Sequence, residues 1–358
     1  MAMTTSIDGP PPTRMRWVLI FGRQAWLWVA LVLLGLLPII GGATGLISDY
    51  GFLQLSLMIV YSIAVLGLSL LTGFNGQISL GHGAFFAVGA YTAAILIDHW
   101  SWPYWATLPM AACTCFIVGY LFGLPALRLE GHYLALATFA LAIAVPQILK
   151  YKHLEALTGG VQGLNITKPS APLGLPFSSD QWMFWVALVV GFAMFWLARN
   201  LLNSRSGRAL TAIRDDATAA STMGINVAQY KTVIFGISAL YTGVAGALHA
   251  IIFEFVAPDS FRLDLSINLL VGMVVGGMAS LPGAVVGGIF VQTIEKYADA
   301  VARSISGHLH LPIDIEPWTV YGVALIGIVY LMPTGIAGGL ARLWAMLTRR
   351  SAGKACSN

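Results

Sequence analysis

Between two apolar runs the chain reads Leu71-Thr72-Gly73-Phe74-Asn75-Gly76-Gln77-Ile78-Ser79-Leu80-Gly81-His82-Gly83, with four glycines and five polar side chains. Amides, hydroxyls and an imidazole at this spacing suit holding a small polar group better than breaking a bond. In lipid, irregular backbone is tolerated only where protein or a water-filled cavity covers it. A helix starting near His82 or Gly83 would present free N–H groups and the positive end of its dipole, both of which favour a carboxylate. Broken helices of this kind mark substrate paths in membrane carriers. Asn75, Gln77, Ser79, His82 and Gly83 are therefore candidate residues of a translocation pathway. A plain turn between two spans accounts for the same residues, and the sequence leaves both readings open.

The second chemically loaded stretch is a polar island, Ser204 to Lys231, reading SRSGRALTAIRDDATAASTMGINVAQYK. Arg205, Arg208, Arg214, Asp215 and Asp216 crowd together there, while Leu210, Ile213, Ala217, Ala220 and Met223 form an apolar stripe at helical spacing. The pattern predicts one amphipathic helix over 206–223, capped by Ser206 and ended by Gly224 in the left-handed conformation. Such a helix between membrane spans is a handle for something outside the membrane.

Composition says where both stretches sit. The 358 residues are 58% hydrophobic and 9% charged, whereas a soluble domain is about a quarter charged. The chain is thus a polytopic membrane protein, all-α, and its 39 glycines suit close helix packing in lipid. GxxxG pairs occur at Gly119/Gly123, Gly272/Gly276, Gly283/Gly287 and Gly335/Gly339. Cys113, Cys115 and Cys356 have neither disulfide nor metal-ligand spacing. A net charge of +4 is too small and dispersed for nucleic acid. No G-x-x-x-x-G-K-[ST], H-E-x-x-H or G-x-S-x-G is present, so the enzyme reading starts low and any ATP must be bound on another chain.

Apolar segments at 25–40, 52–71, 83–98, 103–124, 131–149, 181–201, 229–253, 265–281, 284–300 and 318–341 give about ten transmembrane helices. Those at 83–98, 265–281 and 284–300 are short or interrupted by glycine, so eight spans plus re-entrant segments are the alternative. With both termini cytoplasmic, 13 of the 19 Lys and Arg fall inside, as the positive-inside rule asks. The expected organisation is a disordered cytoplasmic N-terminus at 1–16, one transmembrane domain at 17–341 and a cytoplasmic tail at 342–358. Residues 150–180 form a periplasmic loop with little regular structure, and 204–228 form a cytoplasmic loop.

Other polar residues at membrane depth read less sharply. Glu130, His132 and Tyr133 suit a cytoplasmic edge. Asn268, Gln292 and Glu295 are functional candidates by position, with Glu295 nearer an outer interface. An ion-coupled carrier would need a buried acid on its path, and only Glu254 and Glu295 qualify, both interfacial. Ser79-Leu80-Gly81-His82-Gly83-Ala84 has a short echo in Ser280-Leu281-Pro282-Gly283-Ala284.

Several separated stretches together carry a family likeness. GFNGQISLGHGAFFAVGAYTAAIL (73–96), RLEGHYLALATFALA (128–142), LTGGVQGL (157–164) and the polar island resemble the permease subunit of branched-chain amino acid ABC importers, and more closely the larger of its two permeases. The likeness covers most of 50–340. Such permeases offer the ATPase a loop bearing E-A-A-x-x-x-G; Thr218-Ala219-Ala220-Ser221-Thr222-Met223-Gly224 is similar, with Thr in place of Glu. The resemblance implies a coupling role for Gly207, Arg208, Arg214, Asp215, Asp216, Ala219, Ala220 and Gly224. It also implies a second permease subunit as heterodimer partner, two cytoplasmic ATP-binding subunits that hold the ATP, a periplasmic substrate-binding protein, and a place in the bacterial inner membrane. The cargo it implies is leucine, isoleucine or valine; urea, short amides and other amino acids are carried by relatives with the same broad motifs.

Overall fold

A computed structural model describes residues 48–127, 129, 131–171 and 177–309, with short pieces between 319 and 339. The chain separates into two units at the 48/49 junction, and every element named below belongs to the second. The arm at 1–16, the first apolar run, most of the last one and the tail lie outside the described residues. So do the placement of the termini and the full span count.

The described residues fold almost entirely as helices. In order they are α1 (Asp49–Leu68, prolonged by a π-helical turn, Ser69–Gly73), α2 (His82–Trp100), α3 (Tyr104–Ala126), α4 (His132–Leu149), the single turn α5 (Glu155–Thr158), α6 (Ser179–Asn203), α7 (Arg205–Asp215), α8 (Ala217–Thr222), α9 (Val227–Phe253), α10 (Leu263–Gly276) and α11 (Leu281–Leu309). Five are long and apolar enough to cross a membrane: Asp49–Gly73, Tyr104–Ala126, His132–Leu149, Ser179–Asn203 and Val227–Phe253. At 1.5 Å per residue even the shortest covers about 27 Å.

The most enclosed of these is α9, which packs against α1, α2 and α3. Small residues permit the approach. A side chain on Gly89 of α2 would run into the backbone of Gly243 in α9, and one on Gly246 into the carbonyl of Phe86. Gly119 and Gly123 of α3 rest on Ala239 and Thr232 of the same helix. Two other GxxxG pairs face each other across the α10–α11 hairpin, Gly272 meeting Gly287 and Gly276 meeting Gly283. Van der Waals contact of this closeness supplies the association that lipid, as apolar as leucine, does not.

The segment expected at 265–281 is a half-length helix. At 14 residues α10 covers only about 21 Å. Phe261, just before it, packs on Phe86 and Tyr91 in the middle of α2. The start of α10 therefore lies inside the bundle, and its far end returns with α11.

The polar island is two helices and not the single one expected over 206–223. Asp216 is extended (φ −157°, ψ 108°), and its carboxylate accepts from Thr218 N at 2.8 Å and Ala219 N at 3.0 Å, capping α8. An aspartate gains more by satisfying two orphan N–H groups than by continuing a helix that has no use for its side chain. Ser204, and not Ser206, caps α7, accepting from Ser206 N and Gly207 N. Met223 is 85% exposed, so the apolar stripe stops at Ala220.

Candidate functional site

The glycine-rich polar stretch is the connection from α1 to α2. The π-helical turn over Ser69–Gly73 ends α1, a distortion often found at functional sites. The chain then reverses at Gly76 (φ +77°), with Gly76 N donating to Thr72 O, Gln77 N to Leu71 O and Thr72 Oγ1 to Gln77 O.

Beyond it a buried relay fixes the start of α2. Ser79 Oγ is 3.0 Å from His82 Nδ1, and His82 Nε2 is 2.6 Å from Ser238 Oγ on α9. Ser238 in turn donates to the Gly67 carbonyl of α1 at 2.6 Å. Because that hydroxyl hydrogen is committed to Gly67, Nε2 carries the ring proton and Nδ1 accepts from Ser79. Leu80 N donates to Thr138 Oγ1 of α4, and Gly83 N to Ser266 Oγ of α10, both at 2.9 Å. These bonds correct one expectation. The start of α2 is not an open set of N–H groups awaiting a carboxylate, because Ser266 and the Gly81 carbonyl take those of Gly83 and Ala84.

Unmet hydrogen-bonding capacity lies a few residues earlier, besides that at Tyr91 Oη and His249 Nδ1. Asn75 is 2% exposed, yet neither its amide nitrogen nor its amide oxygen has a partner, and the same holds for Gln77 Oε1 and Ser69 Oγ. A buried polar atom left unpaired costs about 1–3 kcal/mol, so such groups call for an unseen partner, water or ligand. Of the five pathway candidates, Asn75 and Gln77 are thus available to a ligand, while Ser79, His82 and Gly83 are spent on positioning. Ser69 was not legible from sequence: a lone hydroxyl inside an apolar run is ordinarily satisfied by its own helix.

The island packs directly beneath this hairpin. Gly207 makes the elbow from α6 to α7, where a side chain would strike the Leu202 carbonyl. Ala209, Leu210, Ile213 and Ala220 are buried; Arg208, Asp215, Asp216, Ala219 and Gly224 face outward. Gly224 has φ +83°, as its place after α8 predicts. Arg214, itself exposed, reaches the hairpin, its Nη1 donating to the Gly73 carbonyl at 3.2 Å while Nε and Nη2 bond Asp215 Oδ1 at 3.1 and 2.9 Å.

At the opposite end the described residues 150–171 are more ordered than their composition suggests. Leu164–Asn165 pairs antiparallel with Phe255–Val256, and Ile166 N donates to Glu254 O at 2.7 Å. Lys168 bonds Asp180 at 2.8 Å and Glu254 at 3.0 Å. Burial alone would lower its pKa, but the hydrogen bonds and charges of the two carboxylates outweigh that and leave it raised. Glu254 is therefore an ion-pair partner at the edge of the bundle. The side chain of Glu295 lies outside the described residues. Among the described residues, no cluster of three His, Cys, Asp or Glu could hold a metal.

The sequence that builds this bundle matches a known family. Residues 52–332 match the family described as "Branched-chain amino acid transport system / permease component". The chain belongs to this family. Within it, the chain is similar to the high-affinity branched-chain amino acid transport system permease protein LivM of Escherichia coli K12, 35% identical over 249 residues, 63% of this chain and 58% of the relative. A probable branched-chain amino acid transport permease protein LivM of Methanocaldococcus jannaschii is 26% identical over 236 residues, 63% of this chain and 66% of the relative. The LivH permease of the E. coli K12 system is 26% identical over 305 residues, 78% of this chain and 91% of that relative. The chain therefore spans less than two thirds of the length of the LivM relatives it matches. No solved structure gives a significant match. The family match takes in both the Asn75 hairpin of this permease component and the whole of α7 and α8.

Proposed function

We propose that the chain is a permease subunit of an ATP-binding cassette importer that carries leucine, isoleucine and valine across the bacterial inner membrane. In this reading α7 and α8 lie on the cytoplasmic face and receive two ATP-binding subunits, which hold the ATP that this chain has no P-loop to bind. A second permease subunit completes the membrane portion, and a periplasmic binding protein delivers cargo to the end carrying Lys168. The observation that carries the reading is the juxtaposition at one end of the bundle. An outward-facing charged surface (Arg208, Asp215, Asp216) sits against a hairpin where the buried Asn75 amide and the Gln77 amide oxygen have no partner. A coupling surface and a path need that arrangement, because the work done on one must reach the other.

Of the two Asp residues, Asp215 takes the role left open by Thr218. Asp216 is committed to capping α8, and Asp215 is held by Arg214, so Asp215 is the acid presented where the family loop carries Glu. The names of the relatives favour branched-chain amino acids over urea, short amides or other amino acids as cargo. With Glu254 engaged by Lys168, an ion-coupled carrier has lost one of its two candidate acids. The test is uptake of labelled leucine in cells deleted for this chain: uptake should fall and return with the gene. Undiminished ATP-dependent uptake in the deletion strain would overturn the reading.

A further inference from the structure

One island side chain, Arg214, reaches the hairpin that bears Asn75 at two points. Arg214 sits in the last turn of α7, and Asp215 clamps one edge of its guanidinium, leaving Nη1 to donate to the Gly73 carbonyl. That carbonyl closes the π-helical turn, where terminal carbonyls have no N–H donor within their own helix and a cation suits the negative dipole end. The stem of the same arginine packs on Gly76, where a Cβ would lie 3.1 Å from Arg214 Cγ and 3.6 Å from its Cα. The two contact points, Gly73 and Gly76, bracket Asn75. On its other side Gly73 is backed by Ala279 in the turn from α10 to α11, with a Cβ there 2.6 Å from Ala279 N. Ala279 holds φ +58°, in the region an L side chain seldom adopts.

We propose that Arg214 is the positioning residue through which movement of α7 and α8 reaches the Asn75–Gln77 hairpin, a proposal that rests on the importer reading above. The hairpin is wedged between Arg214 and the α10–α11 turn, so it shifts only when one of the two withdraws. The joint at Asp216 separates α8 from α7, so a pull on α8 reaches the hairpin through Asp215 and the arginine it clamps. Leu210 and Ile213, both buried, hold α7 to the bundle.

The experiment uses the full importer reconstituted in liposomes, with Cys113, Cys115 and Cys356 replaced by alanine and a reporter cysteine at the exposed Ile78 (Ile78→Cys). The rate of labelling by a membrane-impermeant maleimide is read with and without ATP plus vanadate. Arg214→Met keeps the stem on Gly76 and removes only the donors. In the parent, the two states should differ in labelling rate about tenfold, the worth of one charged hydrogen bond. In Arg214→Met and in Arg214→Ala the ratio should fall towards one while ATP hydrolysis continues, and Arg214→Lys should lie between, having charge without the fork. A ratio in Arg214→Met equal to the parent's overturns the link and leaves the importer reading standing. A parent that neither hydrolyses ATP nor changes its labelling overturns both.

Discussion

His82 Nε2 lies 2.6 Å from Ser238 Oγ, and through that one contact α1, α2 and α9 share a buried relay that ends on the Gly67 carbonyl. Every group in the relay is out of water, so removing one member strands its neighbour. Ser238→Ala leaves the imidazole N–H buried and unpaired, a loss of about 1–3 kcal/mol. Ser221→Ala removes a hydroxyl that bonds only the nearby Thr218 carbonyl on the surface, and surface changes of that kind stay within about 0.5 kcal/mol. Thermal unfolding of the detergent-solubilised protein should therefore fall clearly for Ser238→Ala and barely for Ser221→Ala. Equal melting temperatures would mean the relay contributes nothing.

Two glycine substitutions separate packing from backbone conformation. A Cβ at Gly246 meets the Phe86 carbonyl and lies 2.8 Å from Phe86 C and 3.1 Å from Ala90 N, all backbone of a neighbouring helix that cannot yield locally. Gly224 has nothing within 4 Å and carries only its positive φ, worth about 1–2 kcal/mol to a residue with a side chain. Gly246→Ala should abolish the monodisperse peak in size-exclusion chromatography, whereas Gly224→Ala should retain it with a modestly lower melting temperature.

How much of this was legible in the sequence follows from which residues act locally. The island, its outward charges and the turn at Gly224 are set by neighbours within a few positions, and the chain shows them. The break at Asp216 was legible in principle, since an Asp before Ala-Thr-Ala is a cap, but the apolar stripe running across it argued for one helix. Long-range pairings were not legible. Nothing near Gly73 names Arg214, 141 positions away, and nothing near His82 names Ser238. The open helix start expected at Gly83 failed for the same reason, because Ser266, 183 positions on, fills it.

Lys168 straps the 150–180 segment to the ends of α6 and α9. Its folded pKa is raised above the ordinary 10.5. The stabilisation is therefore fully present below 10.5 and is lost only as pH rises through the higher folded value. Lys168→Met should increase hydrogen exchange at the Ile166 amide, which donates to the Glu254 carbonyl, by roughly threefold, since ion pairs whose carboxylates still meet water contribute at most about 1 kcal/mol. Between pH 7 and 9, after correction for intrinsic rates, the parent's protection should not change. A parent that loses protection across that interval would place the strap elsewhere.

Asn75 tests whether the unpaired amides belong to a path or to a badly filled turn. Its side chain gives up water on burial and receives no bond in return. Asn75→Ala therefore removes a cost and no interaction, and the melting temperature should stay level or rise. If the amide meets cargo during passage, the same substitution should lower leucine uptake, raising KM or reducing the maximal rate by at least about tenfold, the lower end of what one hydrogen bond to a charged group is worth. Opposite movement of stability and transport is the signature of a residue kept for its ligand. A variant that loses stability and transport together would make Asn75 a structural residue with a partner still to be found, and would leave Gln77 as the remaining open amide of the hairpin.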